Sequence, residues 1–184
     1  MAPGGTTMQF HLYFGEGKGK TTAALGQALR SHGQGWRVLF VQFLKDAGAP
    51  SGEVAAVAAA GKGWRLLRSR LPAPVLRRPG PADREKLRVA TEALLKKALG
   101  EAQRGKYEVV VLDEALAAWK LGLLKVSRIR DARRLLAASG VRLFVVTGRW
   151  APKSLLSQAD LVTEMKKVKH PFDRGERAKD GIDF

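Results

Sequence analysis

The chain of 184 residues contains no cysteine. That absence excludes disulfides, iron–sulfur clusters, thiolate zinc sites and a cysteine nucleophile, and a cytoplasmic protein is the expectation. Long apolar runs are missing as well, so no segment reaches the roughly 20 residues a membrane helix needs. The opening Met1-Ala2-Pro3-Gly4-Gly5-Thr6-Thr7 lacks a basic segment followed by an apolar core, and no secretion signal is expected. Aromatic residues make up only 7%, without the aromatic–basic interleaving that stacks nucleic-acid bases. His11, His32 and His170 have no metal-ligand spacing. Acidic residues are scarce too: 17 Asp+Glu against 33 Lys+Arg leave a net charge of +16. Such an excess attracts nucleic acid, acidic partners or phosphorylated small molecules, or else serves solubility alone.

What the chain does contain is globular. Hydrophobic residues make up 45%, and the length suits one domain over residues 1–184, with residues 1–8 flexible and 171–184 forming a tail or lid. Apolar runs alternate with helical patterns. Gln9–Phe14, Arg37–Phe43, Glu108–Leu112, Arg142–Thr147 and Leu161–Lys167 read as strands, the last at an edge, and Arg65–Arg68 as a short one. Helices are expected from the glycine loop to Ser31, with Gly33 and Gly35 as left-handed stops. Others are expected over Glu53–Ala60, from an Asp83 N-cap to Gln103, to Leu121, over Val126–Ala138 and over Pro152–Ala159. Pro72, Pro74, Pro79 and Pro81 mark an irregular stretch carrying Arg77 and Arg78. The alternation implies an α/β fold, a doubly wound, mostly parallel sheet, without an internal repeat or second domain.

The chain is organised around Gly15-Glu16-Gly17-Lys18-Gly19-Lys20-Thr21-Thr22, a glycine-rich turn between a strand and a helix. Such a turn converges backbone N–H groups on an anion at the positive end of the helix. Lys20 adds formal charge, and the Thr21 hydroxyl can hold magnesium beside phosphates. The standard P-loop has glycine five positions before Gly19. Phe14 stands there, and the nearest earlier glycine is Gly15, so the loop is one residue short and a nucleoside triphosphate would be held with unusual geometry. Gln42, Asp113-Glu114 and Thr147-Gly148-Arg149 fall at other strand ends on the same rim, where such sheets bind ligands. Asp113 and Glu114 suit a magnesium site or a helix cap, and Arg149 suits phosphate charge or the surface.

These residues resemble the P-loop ATP:cob(I)alamin (corrinoid) adenosyltransferases, a likeness that implies a RecA-like P-loop fold. The resemblance rests on Gly17-Lys18-Gly19-Lys20-Thr21-Thr22-Ala23-Ala24, Val41-Gln42-Phe43-Leu44-Lys45, Val111-Leu112-Asp113-Glu114, Lys120-Leu121-Gly122-Leu123-Leu124, Thr147-Gly148-Arg149, Asp160-Leu161-Val162-Thr163-Glu164-Met165, Val168-Lys169-His170-Pro171-Phe172-Asp173 and Gly181-Ile182-Asp183-Phe184. It covers the chain except residues 62–85. It implies transfer of the 5′-deoxyadenosyl group of ATP to the cobalt of a reduced corrinoid, with release of triphosphate, helped by Mg²⁺ or Mn²⁺. It also implies a reductant for cobalt and a homodimer, with nucleic acid bound at most non-specifically. By the same resemblance, Lys20 and Glu114 are catalytic. Gly15, Gly17, Lys18, Gly19, Lys20, Thr21, Thr22, Arg30 and Arg149 bind the nucleotide, and Thr21, Glu114 and Asp113 serve the metal. Two features depart from the family: Glu16 stands where asparagine is usual, and the Gly-Phe-Thr-Trp segment that presses on the lower corrin face is replaced by Gly61-Lys62-Gly63-Trp64-Arg65-Leu66-Leu67. Trp64 either substitutes for it or packs in a strand. The competing readings are a RecA-like ATPase acting on nucleic acid, favoured by the charge and by the arginines between Arg65 and Arg88, and a non-catalytic ATP-binding relative.

Overall fold

The computed structural model describes residues 7–46, 51–69 and 80–182. The expectations for the N-terminal six residues, for Pro72, Pro74, Pro79, Arg77 and Arg78, and for Asp183 and Phe184 lie outside the described residues. The elements run β1 (Gln9–Phe14), α1 (Lys20–His32), β2 (Val38–Asp46), α2 (Gly52–Ala59), β3 (Trp64–Ser69), α3 (Pro81–Gly105), β4 (Val109–Asp113), α4 (Ala115–Lys120), α5 (Val126–Ala138), β5 (Leu143–Gly148), α6 (Lys153–Leu156) and β6 (Leu161–Glu164), followed by one 3₁₀ turn at Pro171–Arg174.

The strands form one six-stranded sheet in the order β3-β2-β4-β5-β1-β6. Every pairing is parallel, so the "mostly parallel" expectation becomes wholly parallel among the described residues. The central strands are apolar throughout because both faces are covered. Successive side chains part to opposite sides. Phe10, Leu12, Leu39, Val41, Val110, Leu112, Phe144 and Val146 join one core with α3, α4, α5 and α6. Tyr13, Val38, Phe40, Val109, Val111, Leu143 and Val145 join the other with α1. Phe10 and Phe144 stack at 5.2 Å on the first of these faces. On the second, Ala24 and Ala28 are fully buried, small residues that bring α1 close to the middle of the sheet. No helix among the described residues is long and apolar enough to cross a membrane.

The long helix α3 buries Leu87, Thr91, Leu94, Ala98 and Ala102 as its spacing predicts, with Leu95 and Leu99 widening the stripe. Ala90 is only half-buried. Asp83 is not its N-cap. Pro81 opens the helix, Gly80 precedes it in extended conformation, and Asp83 sits in the first turn. Proline with its fixed φ suits the first helical position, and an acid suits the positive end. Gly33 closes α1 with right-handed geometry (φ −59), and the left-handed turn falls at Gly35 (φ +78). The last strand stops at Glu164 rather than Lys167, because the chain there turns over the glycine loop instead of continuing along the edge. The helix expected over 152–159 is confined to Lys153–Leu156.

The parallel registers place Gly148 and Glu164 opposite Phe14, and Asp113 opposite Gln42. The glycine loop, Asp113-Glu114 and Arg149 therefore leave the sheet along one rim.

Candidate nucleotide-binding site

The loop after β1 has its shape because another segment crosses it. Gly17 N donates to Met165 O at 2.7 Å, and Met165 N donates to Phe14 O at 2.7 Å. A Cβ on Gly15 (φ +115) would lie 2.4 Å from Met165 O, and one on Gly17 would lie 2.7 Å from the carbonyl oxygens of Met165 and Lys166. Neither position tolerates a side chain. Gly19 (φ +109) is the N-cap of α1, with no side-chain cap bond. The first N–H groups of the helix are thus left for an anion.

Lys20 follows at once and is buried, 7% exposed. Its ammonium donates to Gly17 O at 2.6 Å. Burial pushes its pKa down, Glu114 opposes this, Arg149 adds to it and Asp113 opposes it. Thr21 Oγ1 lies 3.1 Å from both carboxylate oxygens of Asp113. Asp113, fully buried at the end of β4, also accepts from Thr147 Oγ1 at 2.7 Å and from Gln42 Nε2 at 3.3 Å. Burial raises the Asp113 pKa against these bonds and the Lys45 charge. The Thr147 hydroxyl serves twice, because it also accepts from Glu114 N at 2.9 Å. Glu114 takes a left-handed φ of +60, which turns it out of the strand toward the cavity. Burial and then the charge of Asp113 raise its pKa, while Lys20, Arg149 and Lys45 lower it.

These groups meet at a cavity of about 610 Å³, a size suited to a nucleotide. Of the residues predicted from sequence, Gly17, Lys18, Gly19, Lys20, Thr21, Thr22, Glu114 and Arg149 line it. Asp113 stands behind Thr21, and Gly15 lies under the crossing segment, off the cavity wall. Arg30 is not brought to the site. It is exposed on the last turn of α1, ten residues beyond Lys20 and so about 15 Å along the helix, where its charge acts on Tyr13. Trp64 takes the second of its two expected uses and packs in a strand. It opens β3 opposite Val38, at the end of the strands away from the glycine loop, where it meets His32 edge-on at 5.7 Å.

The sequence gives Lys45, Glu53, His170 and Ile182 no site role, and it places Thr147 on the ligand-binding rim without a task of its own. Glu53 from α2 accepts from Gln42 Nε2 at 3.0 Å and pairs with Lys45. Burial alone would raise this carboxyl; the bonds from Lys45 and Gln42 carry it down to about 2. Lys45, Glu53, His170 and Ile182 line the cavity. The signal for Thr147 was available, since a polar residue ending an otherwise apolar buried strand beside Asp113 needs a partner. Glu53 carried none, because its helix has no buried face.

No group of three or more His, Cys, Asp or Glu residues able to hold a metal exists among the described residues. The donors present are the Thr21 hydroxyl and the carboxylates of Glu114 and Asp113. Magnesium or manganese bound with phosphates needs no more, because such ions keep several waters and take phosphate oxygens.

A strand, a glycine turn and a helix carrying lysine and threonine, set against a buried aspartate two strands away, define a P-loop nucleotide-binding α/β protein. The chain belongs to the ATP:corrinoid adenosyltransferase BtuR/CobO/CobP family, which matches residues 6–184, and it is accordingly an enzyme of the transferase class. It is 33% identical to the corrinoid adenosyltransferase of Pseudomonas aeruginosa over 94% of this chain and 82% of that protein. It is 32% identical to the corrinoid adenosyltransferase CobA of Salmonella typhimurium, covering 94% and 84% of the two chains. The uncharacterized protein all2391 of Nostoc sp. is 37% identical over 90% of this chain, which spans 45% of that protein's length.

Proposed function

We propose that the chain transfers the 5′-deoxyadenosyl group of ATP to the cobalt of a reduced corrinoid. Cobalt(I) supplies the electron pair for the new Co–C bond, the C5′–O bond breaks, and its electron pair leaves with triphosphate. The observation that carries this reading is the cation-lined phosphate cavity of a chain that matches the family from residue 6 to 184. The nucleophile belongs to the substrate, so the protein needs to orient C5′ and stabilise a departing polyanion. Lys18, Lys20, Arg149 and the backbone N–H groups of residues 18–22 serve the triphosphate, the Gly17 N–H being bound to Met165 O. Thr21 and Glu114 hold magnesium or manganese, which supplies charge neutralisation on the phosphates, and Asp113 orients Thr21. Arg30 and Trp64 have no place in this assignment.

The chain works as a single nucleotide-binding domain in the cytoplasm, as a homodimer, with electrons for cobalt from a separate reductant. Nucleic acid binds only non-specifically through the surface charge, and that binding fades near physiological salt. The test is anaerobic incubation with ATP, Mg²⁺ and chemically reduced cobalamin, followed by the absorbance change on Co–C bond formation. An unchanged spectrum in the presence of tight MgATP binding would overturn the transfer reading in favour of a non-catalytic relative.

A further inference from the structure

His170 lines the cavity with Gly17, Lys18, Lys20 and Arg149, yet the P-loop chemistry gives it no task. It lies in the segment after β6 and is partly sheltered, while its neighbours on both sides are exposed. The segment is pinned to the loop by the Gly17–Met165 and Met165–Phe14 backbone bonds, and its passage is possible only because residues 15 and 17 have no Cβ. The ring is oriented as well: Nδ1 accepts from Phe172 N at 3.1 Å. A ring nitrogen that accepts carries no proton, so the neutral imidazole holds its proton on Nε2. Nε2 meets no protein acceptor among the described residues.

A donor fixed in one tautomer, on a wall shared with Lys18, Lys20 and Arg149, is complementary to an acceptor-only anion. We infer that His170 donates through Nε2–H to an oxygen of the triphosphate, making the segment after β6 part of the phosphate site. The inference rests on the nucleotide reading above. It applies equally to the triphosphate of ATP and to free triphosphate as product.

Two substitutions separate this contact from the local cap. His170→Asn keeps an acceptor near the Nδ1 position and loses the reach of Nε2. His170→Gln keeps a donor near Nε2 and loses the cap. Calorimetric titration of each, with magnesium triphosphate, with MgATP and with adenosine, reads the contact directly. A hydrogen bond to a charged group corresponds to about 10- to 100-fold in affinity. His170→Asn should weaken triphosphate and MgATP by that factor and leave adenosine unchanged, and His170→Gln should recover most of the loss. In the wild type, the His170 ¹⁵N resonances should report the Nε2–H tautomer and shift on adding triphosphate. Wild-type affinity in His170→Asn, or equal loss in both variants, would overturn the inference and leave His170 as a cap. The wild-type protein's Co–C bond formation is measured beside these titrations. If that fails while triphosphate still binds through His170, the transfer reading falls and this inference stands.

Discussion

The two ends of the sheet use the same residue types to opposite effect. At the N-terminal ends of the strands, cations lie against aromatic rings. Arg142 sits 4.1 Å from the Trp36 ring centroid, Arg37 sits 5.1 Å from that of Tyr107, and Glu108 accepts from Arg37 N. At the C-terminal ends, Lys18, Lys20, Lys45 and Arg149 face a cavity, with Asp113 and Glu114 held above their usual pKa by burial. A cation seated on a ring is already satisfied. A cation held by one carbonyl beside carboxylates that resist ionising still has charge to offer. Backbone direction favours the second end too, because in parallel βα units the helix N-termini emerge there and add positive potential. Lys120, 5.9 Å from the Trp150 ring, is the one ring-stacked cation at the site end among the described residues.

Lys20→Ala should break the contrast most sharply. Removing the buried ammonium is expected to weaken MgATP more than 100-fold, about 3 kcal/mol, while the melting temperature hardly moves, since its burial carries a desolvation cost. Calorimetry and thermal melting check the two halves. Unchanged affinity would mean that the loop holds no phosphate.

Glu114→Gln comes next. It should weaken Mg²⁺-dependent binding about tenfold and leave metal-free binding nearly untouched. Equal losses with and without magnesium, in parallel titrations, would mean that the carboxylate shapes the strand end and does not serve the metal.

Glu53→Gln sharpens the comparison through pH. The folded carboxyl is lowered from 4.5 to about 2, so its stabilisation is complete above 4.5 and lost as pH falls toward 2. The wild type should melt above the variant at neutral pH, and the gap should shrink below pH 4.5. Asp113 and Glu114, whose raised pKa values act with the opposite sign, are common to both proteins and drop out of the difference. A gap independent of pH would sink the Lys45–Glu53 pairing as its cause.

The smallest effect belongs to the other end. Arg142→Ala should cost about 1 kcal/mol by loss of the Trp36 stack, about 2–4 °C in melting temperature, with MgATP affinity unchanged. Trp64→Phe should likewise leave corrinoid use unaltered. A change in either ligand would mean that this end communicates with the site.

The elements that sequence reading found are those whose signal is local. An apolar strand meeting Gly-Lys-Gly-Lys-Thr-Thr needs no distant information, and neither does the strand running into Asp113-Glu114. Arg30 came from the family likeness, which carries a residue without its distance along a helix, and it lies on the last turn of α1 outside the cavity lining. Of the two uses open to Trp64 the structure shows the strand packing, because strand direction decides which end of the sheet a residue occupies and the first position of β3 lies away from the glycine loop.

By itself the sequence determined the alternation of strands and helices, the phosphate loop and its facing carboxylates, because apolar periodicity, glycine and charge act over a few residues. Only the tertiary structure decided that Gly15 and Gly17 make room for Met165, that Thr147 joins Asp113 to Glu114, that Glu53 is held ionised beside Lys45, and that His170 reaches the cavity. Each of those depends on which segments the sheet order brings side by side, and that order is set by packing between residues far apart in the chain.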